Sequence, residues 1–142
     1  MTSALPPALF FYGVLRPDLA SGRMAELVAL LGPGVPANVA GNLFAVADEG
    51  GHYPVMVAGP GRVHGTLMPP GPRFGHGELA ELDRFEGSDY ARVPILARTG
   101  DGSEHPADAY LWTRPLAPGL VPIAHGDFAR YLAESGAAPL PG

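Results

Sequence analysis

Glu78-Leu79-Ala80-Glu81-Leu82-Asp83-Arg84-Phe85-Glu86-Gly87, followed at once by Ser88-Asp89-Tyr90-Ala91-Arg92-Val93-Pro94-Ile95-Leu96-Ala97-Arg98, is where this chain changes its period. Leu79, Leu82 and Glu86 fall at i, i+3 and i+7, one stripe of a short helix that covers roughly Gly77 to Phe85 and is closed by Gly87. Tyr90 to Arg98 is β-rich, and so is Pro106 to Thr113. The Thr99-Gly100-Asp101-Gly102-Ser103 between them reads as a hairpin turn.

Upstream, Leu9 to Tyr12 is an apolar, aromatic run that stops at Gly13, which suits a first strand entering a tight turn. Met24, Leu27, Val28 and Leu31 recur at helical spacing, with Gly32-Pro33 as the stop. Three β-like runs follow, at about 38–47, 53–58 and 62–68, separated by Gly-Gly and Gly-Pro-Gly. Downstream, a Pro-rich passage (115–122) leads to a last helix, Asp127 to Glu134, with Phe128, Tyr131 and Leu132 on one face. Strands outnumber helices, are short and are mostly joined directly. The expected architecture is α+β: one domain over 1–142, a small mixed, barrel-like sheet with two or three short helices.

Composition narrows the function. At 142 residues and 14.7 kDa, 46% apolar and 16% charged, the chain has room for one packed core. It has no Cys, which excludes disulfides, thiol catalysis and thiolate metal sites. All nine basic residues are Arg against fourteen acidic ones, a net charge of −5 that argues against nucleic acid or anionic lipid as partners. Without Lys there is neither a Schiff base nor a P-loop. His52, His64, His76, His105 and His125 are scattered, with no metal-binding spacing, and Gly-Pro-Gly is no dinucleotide fingerprint. The uncharged run Leu27 to Ala47 is broken by Gly32-Pro33-Gly34-Val35-Pro36, so no membrane span is expected, and the chain reads as soluble and cytoplasmic.

Two features could carry chemistry. In Tyr12-Gly13-Val14-Leu15-Arg16 a strand ends in a Gly turn. A glycine there can take positive φ and let consecutive N–H groups converge on a carboxylate; the alternative is an ordinary strand-end turn. The second is Glu86. Its stripe aims it at the core, and it sits at the negative end of the helix dipole, so its pKa should rise toward the range a general base uses. The alternative is a helix that ends one residue early and turns Glu86 outward.

Together these stretches resemble the gamma-glutamylcyclotransferase-like superfamily. Phe11-Tyr12-Gly13-Val14-Leu15-Arg16-Pro17 resembles its Tyr-Gly-(Ser/Thr)-Leu turn. Leu82 to Gly87 with Tyr90-Ala91-Arg92 resembles its Leu-Asp-x-(Phe/Tyr)-Glu-Gly and Tyr-x-Arg. Gly41-Asn42-Leu43-Phe44, His52-Tyr53-Pro54-Val55, Val63-His64-Gly65-Thr66-Leu67 and Gly126-Asp127-Phe128 resemble further segments, in order, over about residues 8–132. Val14 departs from the family's Ser or Thr and removes a side-chain hydroxyl from the turn.

The resemblance implies a gamma-glutamyl substrate from which 5-oxoproline is released without a metal or cofactor. Glu86 would be the acid/base. Tyr12, Gly13, Val14 and Leu15 would bind substrate through backbone N–H groups, and Tyr90 would wall the pocket or bond substrate. Tyr90 as a half-buried strand aromatic is an equal alternative. Arg16 is expected in solvent, Arg92 in an ion pair with Asp83 or Asp89, and Trp112 in the sheet core. Two rival readings stay open: a lyase acting on a gamma-glutamylated natural product, and a non-catalytic module on the same fold that binds a small anion or contacts a protein. The leaving amine is not legible.

Overall fold

The computed structural model describes residues 5–13, 15–17, 19–48 and 50–140. In chain order the elements are β1 (Leu9–Phe11), α1 (Gly22–Val28), β2 (Val35–Asp48), β3 (Gly51–Met68), α2 (His76–Glu86), β4 (Tyr90–Thr99), β5 (Glu104–Trp112), β6 (Val121–Pro122) and α3 (Phe128–Ser135). The sheet runs β3-β1-β5-β4-β2 and closes by a β2–β3 pairing, with β6 added beside β2. Five strands thus form a mixed barrel, parallel only between β1 and β5. This is the α+β, barrel-like fold with short helices that the sequence predicts. No helix among the described residues is long and apolar enough to cross a membrane.

β1 explains why its run is apolar throughout rather than alternating. Successive side chains of a strand point to opposite faces, and here both faces are covered. Phe10 and the following Tyr12 join Val39, Leu43, Met56, Val63 and Phe128 inside the barrel. Leu9 and Phe11 join Leu27, Val28, Leu79 and Leu82 outside it, beneath α1 and α2. The barrel interior is narrow: Ala45, Ala97, Ala107 and Ala109 face inward and leave room for the rings of Phe10 and Phe128.

Several expectations are corrected. The runs at 53–58 and 62–68 are one strand, not two. Opposite β2, the pairing steps from Ala40↔Arg62 to Asn42↔Val57, so residues 58–61 bulge out of a continuing ladder. Asn42 fills the bulge, accepting the Gly61 N–H at 3.1 Å, and a Cβ on Gly59 would lie 2.4 Å from the Asn42 side chain. Leu31 lies beyond α1, which stops at Val28 and tightens into bonds from Leu30 N–H to Leu27 C=O and from Leu31 N–H to Val28 C=O, each 3.1 Å. Part of the Pro-rich passage pairs as β6 with Phe44 and Ala45.

Asp127 caps α3, accepting the Arg130 N–H at 3.2 Å. The residue before it, Gly126, sits at φ +75°, and a Cβ there would lie 1.9 Å from the Arg62 carbonyl oxygen. A side chain therefore meets both the left-handed penalty and a backbone clash. Gly126→Ala should lower unfolding stability by about 3 kcal/mol, read as a fall in urea midpoint at an unchanged slope.

Candidate active site

The last turn of α2 holds Glu86, the carboxyl that the sequence singles out. Leu79 and Leu82 are buried on its inner stripe, and the same stripe delivers Glu86 into a cavity of about 340 Å³. Gly87, at φ +82°, ends the helix there, its N–H bonding to the Asp83 C=O at 3.1 Å. From β1 and its turn the cavity receives Phe11, Tyr12, Gly13 and Leu15; from β3, Tyr53 and Pro54; from β4 and β5, Tyr90, Tyr110 and Trp112. Phe85, Asp89 and Leu140 complete much of the remaining wall.

Five of the six residues singled out in the sequence, Tyr12, Gly13, Leu15, Glu86 and Tyr90, thus line one space. The sixth, Val14, lies outside the described residues. The inward reading of Glu86 holds, and the outward alternative does not. Gly13 holds its place for a different reason from the one expected. Its φ is not positive. Instead, a Cβ would lie 2.6 Å from Pro54 Cγ, so only glycine lets the turn pack against β3. The Gly13 carbonyl then accepts the Arg16 N–H at 2.9 Å, closing the turn.

The aromatic hydroxyls are braces. Tyr12 Oη donates to the Tyr110 carbonyl and is also bonded by the Met56 main chain. Tyr90 Oη donates to the Pro54 carbonyl at 2.7 Å, and its ring meets Trp112 edge-on at 5.1 Å. Tyr90 therefore walls the cavity, its one proton already committed. Tyr110 Oη donates to Asp83 Oδ1 at 2.6 Å.

Electrostatics follow from this packing. Burial, and secondarily the charge of Asp83, push the Glu86 carboxyl up to about 8. Burial raises Tyr90 and Tyr110 as well. Arg92 holds Asp83 through Nε at 3.0 Å and Asp108 through a guanidinium nitrogen at 2.5 Å. The expected Asp83 partner is correct. Asp89, the other candidate, instead pairs with Arg114 at 2.7 Å.

Two more expectations are corrected. Arg16 is not in solvent: it is 13% exposed and bonds Asp127 at 3.0 Å, so the turn is tied to the cap of α3. Trp112 belongs to the cavity wall and not to the sheet core. Tyr110 was missed, although its two-residue spacing from Trp112 on a strand puts both on one face. Among the described residues no group of three or more His, Cys, Asp or Glu is placed to hold a metal ion.

The family model for gamma-glutamyl cyclotransferase, AIG2-like, matches residues 9–130. The chain belongs to this family. It is 36% identical over 122 residues to the gamma-glutamylcyclotransferase family protein YtfP of Escherichia coli, covering 84% of this chain and 94% of that one. The Citrobacter rodentium counterpart is 35% identical over the same length, covering 84% and 93%. Among solved structures, YkqA from Bacillus subtilis matches with a TM-score of 0.69 at 21% identity, over 93% of this chain and 43% of that longer one. A structure described as a gamma-glutamyl cyclotransferase matches with a TM-score of 0.63 at 17% identity, over 97% and 90%. At those identities the solved structures speak to the fold.

A carboxyl whose folded pKa lies above its unfolded one binds its proton more tightly in the folded state, so stability falls as pH rises between the two values. For Glu86 that window runs from 4.5 to about 8. Glu86→Gln removes the penalty. Its melting temperature should match the unaltered protein's near pH 4.5, exceed it increasingly toward pH 8, and hold a constant advantage above.

Proposed function

We propose that this protein is a gamma-glutamyl cyclotransferase that releases 5-oxoproline from a gamma-glutamyl amine or amino acid, with Glu86 as general acid/base. The observation that carries this reading is the Glu86 carboxyl, sunk in an apolar cavity beside the turn that ends β1. The substrate's α-amine nitrogen attacks its own γ-carbonyl carbon, forming the lactam C–N bond. The bond from that carbon to the departing nitrogen then breaks. In becoming a lactam N–H the α-ammonium surrenders two protons, while the departing nitrogen takes up one to leave as an amine and a second to become an ammonium. A single carboxyl can carry them from one nitrogen to the other.

The bond-forming step is intramolecular, so the protein's task is to hold the substrate folded. Good orientation is worth an effective molarity on the order of 10⁵ M or more. The aromatic wall of Tyr53, Tyr90, Tyr110 and Trp112 suits that task, because three of these rings are fixed by hydrogen bonds or ring contacts. Main-chain N–H groups of the turn at 12–15 would meet the substrate's carboxylate or polarise its carbonyl, and these survive the replacement of the usual Ser or Thr by Val14. A module that merely bound an anion would need no group poised to take up and release a proton near neutral pH, as a buried carboxyl with its pKa pushed up to about 8 is. The inward Glu86 therefore favours the enzyme over the binding module.

Released 5-oxoproline, quantified by mass spectrometry over a panel of gamma-glutamyl amines and amino acids, tests the reading. Glu86→Gln should cut the rate by a hundredfold or more. In the unaltered protein kcat/KM should fall as pH drops below about 8, where the base form of Glu86 is lost. Asp83→Asn removes the like charge that helps to raise Glu86 and leaves the Arg92 cation paired with Asp108 alone, so the same limb should move to lower pH. A limb that stays in place, or moves upward, contradicts the role given to Asp83.

A further inference from the structure

Residues 137–140 lie beyond the stretch that the family model matches, yet they are docked on β3, and Leu140 lines the cavity. The His52 N–H donates to the Ala138 carbonyl at 2.8 Å, the Leu140 N–H donates to the His52 carbonyl at 2.8 Å, and Pro139 pairs with His52 in parallel. Gly51, at φ +135°, makes the docking possible: a Cβ there would lie 2.6 Å from the Pro139 carbonyl oxygen and 2.7 Å from Leu140 Cα. His52 is itself fixed, with Nδ1 3.0 Å from Tyr131 Oη on α3. Ala137 and Leu140 pack against the barrel core. This strap is a strand-like addition to the start of β3, and Leu140 is its contribution to the cavity wall.

Its place along β3 says which part of a ligand it meets. Pro54 packs against Gly13, at the end occupied by the turn and Glu86. Tyr53 comes next, and Leu140 is held at His52, two extended residues or about 7 Å from Pro54. A glutamyl carboxylate held at the turn, as proposed above, leaves the γ-amide and its amine to extend away from it along the cavity, whose lining includes Leu140. We propose that Leu140, carried by the 137–140 strap, closes the leaving-group end of the cavity and sets the size of the amine that this protein releases. The inference rests on the cyclotransferase reading and adds to it a specificity residue outside the family's matched region.

The test compares a small and a bulky substrate, gamma-glutamyl methylamide and gamma-glutamyl cyclohexylmethylamide. Two readouts are used: the ratio of their kcat/KM values for 5-oxoproline release, and the ratio of their Kd values for the Glu86→Gln protein. Trp112 is the sole tryptophan and lines the cavity, so its fluorescence reports occupancy in that second measurement. Leu140→Ala should shift both ratios toward the bulky compound by about tenfold or more, and Leu140→Phe should shift them the other way. Gly51→Ala, which dislodges the strap without altering Leu140, should act like Leu140→Ala. Ratios that stay within twofold of the unaltered protein in both Leu140 variants overturn the role of the strap while leaving the reaction standing. No 5-oxoproline from either compound together with no fluorescence response overturns both.

Discussion

The structure depends on burying both faces of three residues. Leu9, Phe10 and Phe11 are each no more than 2% exposed, and such side chains contribute about 1.5–3 kcal/mol apiece when fully buried. Phe10 faces into the barrel, while Leu9 and Phe11 face the helices, so β1 is held from two directions at once. It is also paired on both edges, antiparallel to β3 and parallel to β5, where the Asp108 N–H reaches the Ala8 carbonyl at 3.0 Å. A strand fixed on four sides leaves its last residue no freedom. Tyr12 and Gly13 emerge at a set height and angle, Tyr12 bonded to the Tyr110 carbonyl and Gly13 packed against Pro54.

The helix end is fixed by a related economy. The stripe that fastens α2 to the barrel through Leu79 and Leu82 also carries Glu86 inward, so packing energy holds a carboxyl where water would otherwise draw it out. Protonation is how a buried carboxyl avoids most of the desolvation cost. Asp83 reinforces this by its charge and is held in place by Arg92, which bridges it to Asp108. Tyr110 joins the two halves: its carbonyl accepts the Tyr12 hydroxyl, its own hydroxyl donates to Asp83, and its ring faces the cavity. The turn and the carboxyl are thereby referred to one residue of β5.

Local signals survived translation into three dimensions. The direction of Glu86 is encoded within eight residues, because helical period is a local property, and the end of β1 is marked by its own glycine. What is not legible locally depends on pairings across long stretches of chain. Trp112 reaches the cavity because β4 and β5 align Tyr90 with it, a register that composition does not state. Arg16 looked like a solvated loop residue because its partner, Asp127, is 111 positions away. Gly59-Pro60-Gly61 carries every mark of a turn, yet it sits as a bulge in a ladder that continues on both sides, with the side chain of Asn42, on the neighbouring strand, seated in it. Leu140 gave no sign at all: nothing near it in sequence says that it returns to His52.

The cavity lies where the barrel core and the helix-covered core meet. Phe10 and Tyr12 reach it from the first cluster, Phe11 and Leu15 from the second, and Phe85 packs against both. Two cores that pack independently rarely close perfectly at their common rim, and close packing elsewhere makes the remaining gap stiff. A gap of that kind supplies a fixed apolar shape and a setting in which burial pushes the pKa of one carboxyl up to about 8. Cyclisation of a gamma-glutamyl group, as proposed here, needs a folded substrate and a proton carrier, because its nucleophile travels with the substrate. The chemistry asks of the protein chiefly what the meeting of two cores already provides, and the rim segments, the 137–140 strap among them, are left to decide which amine fits.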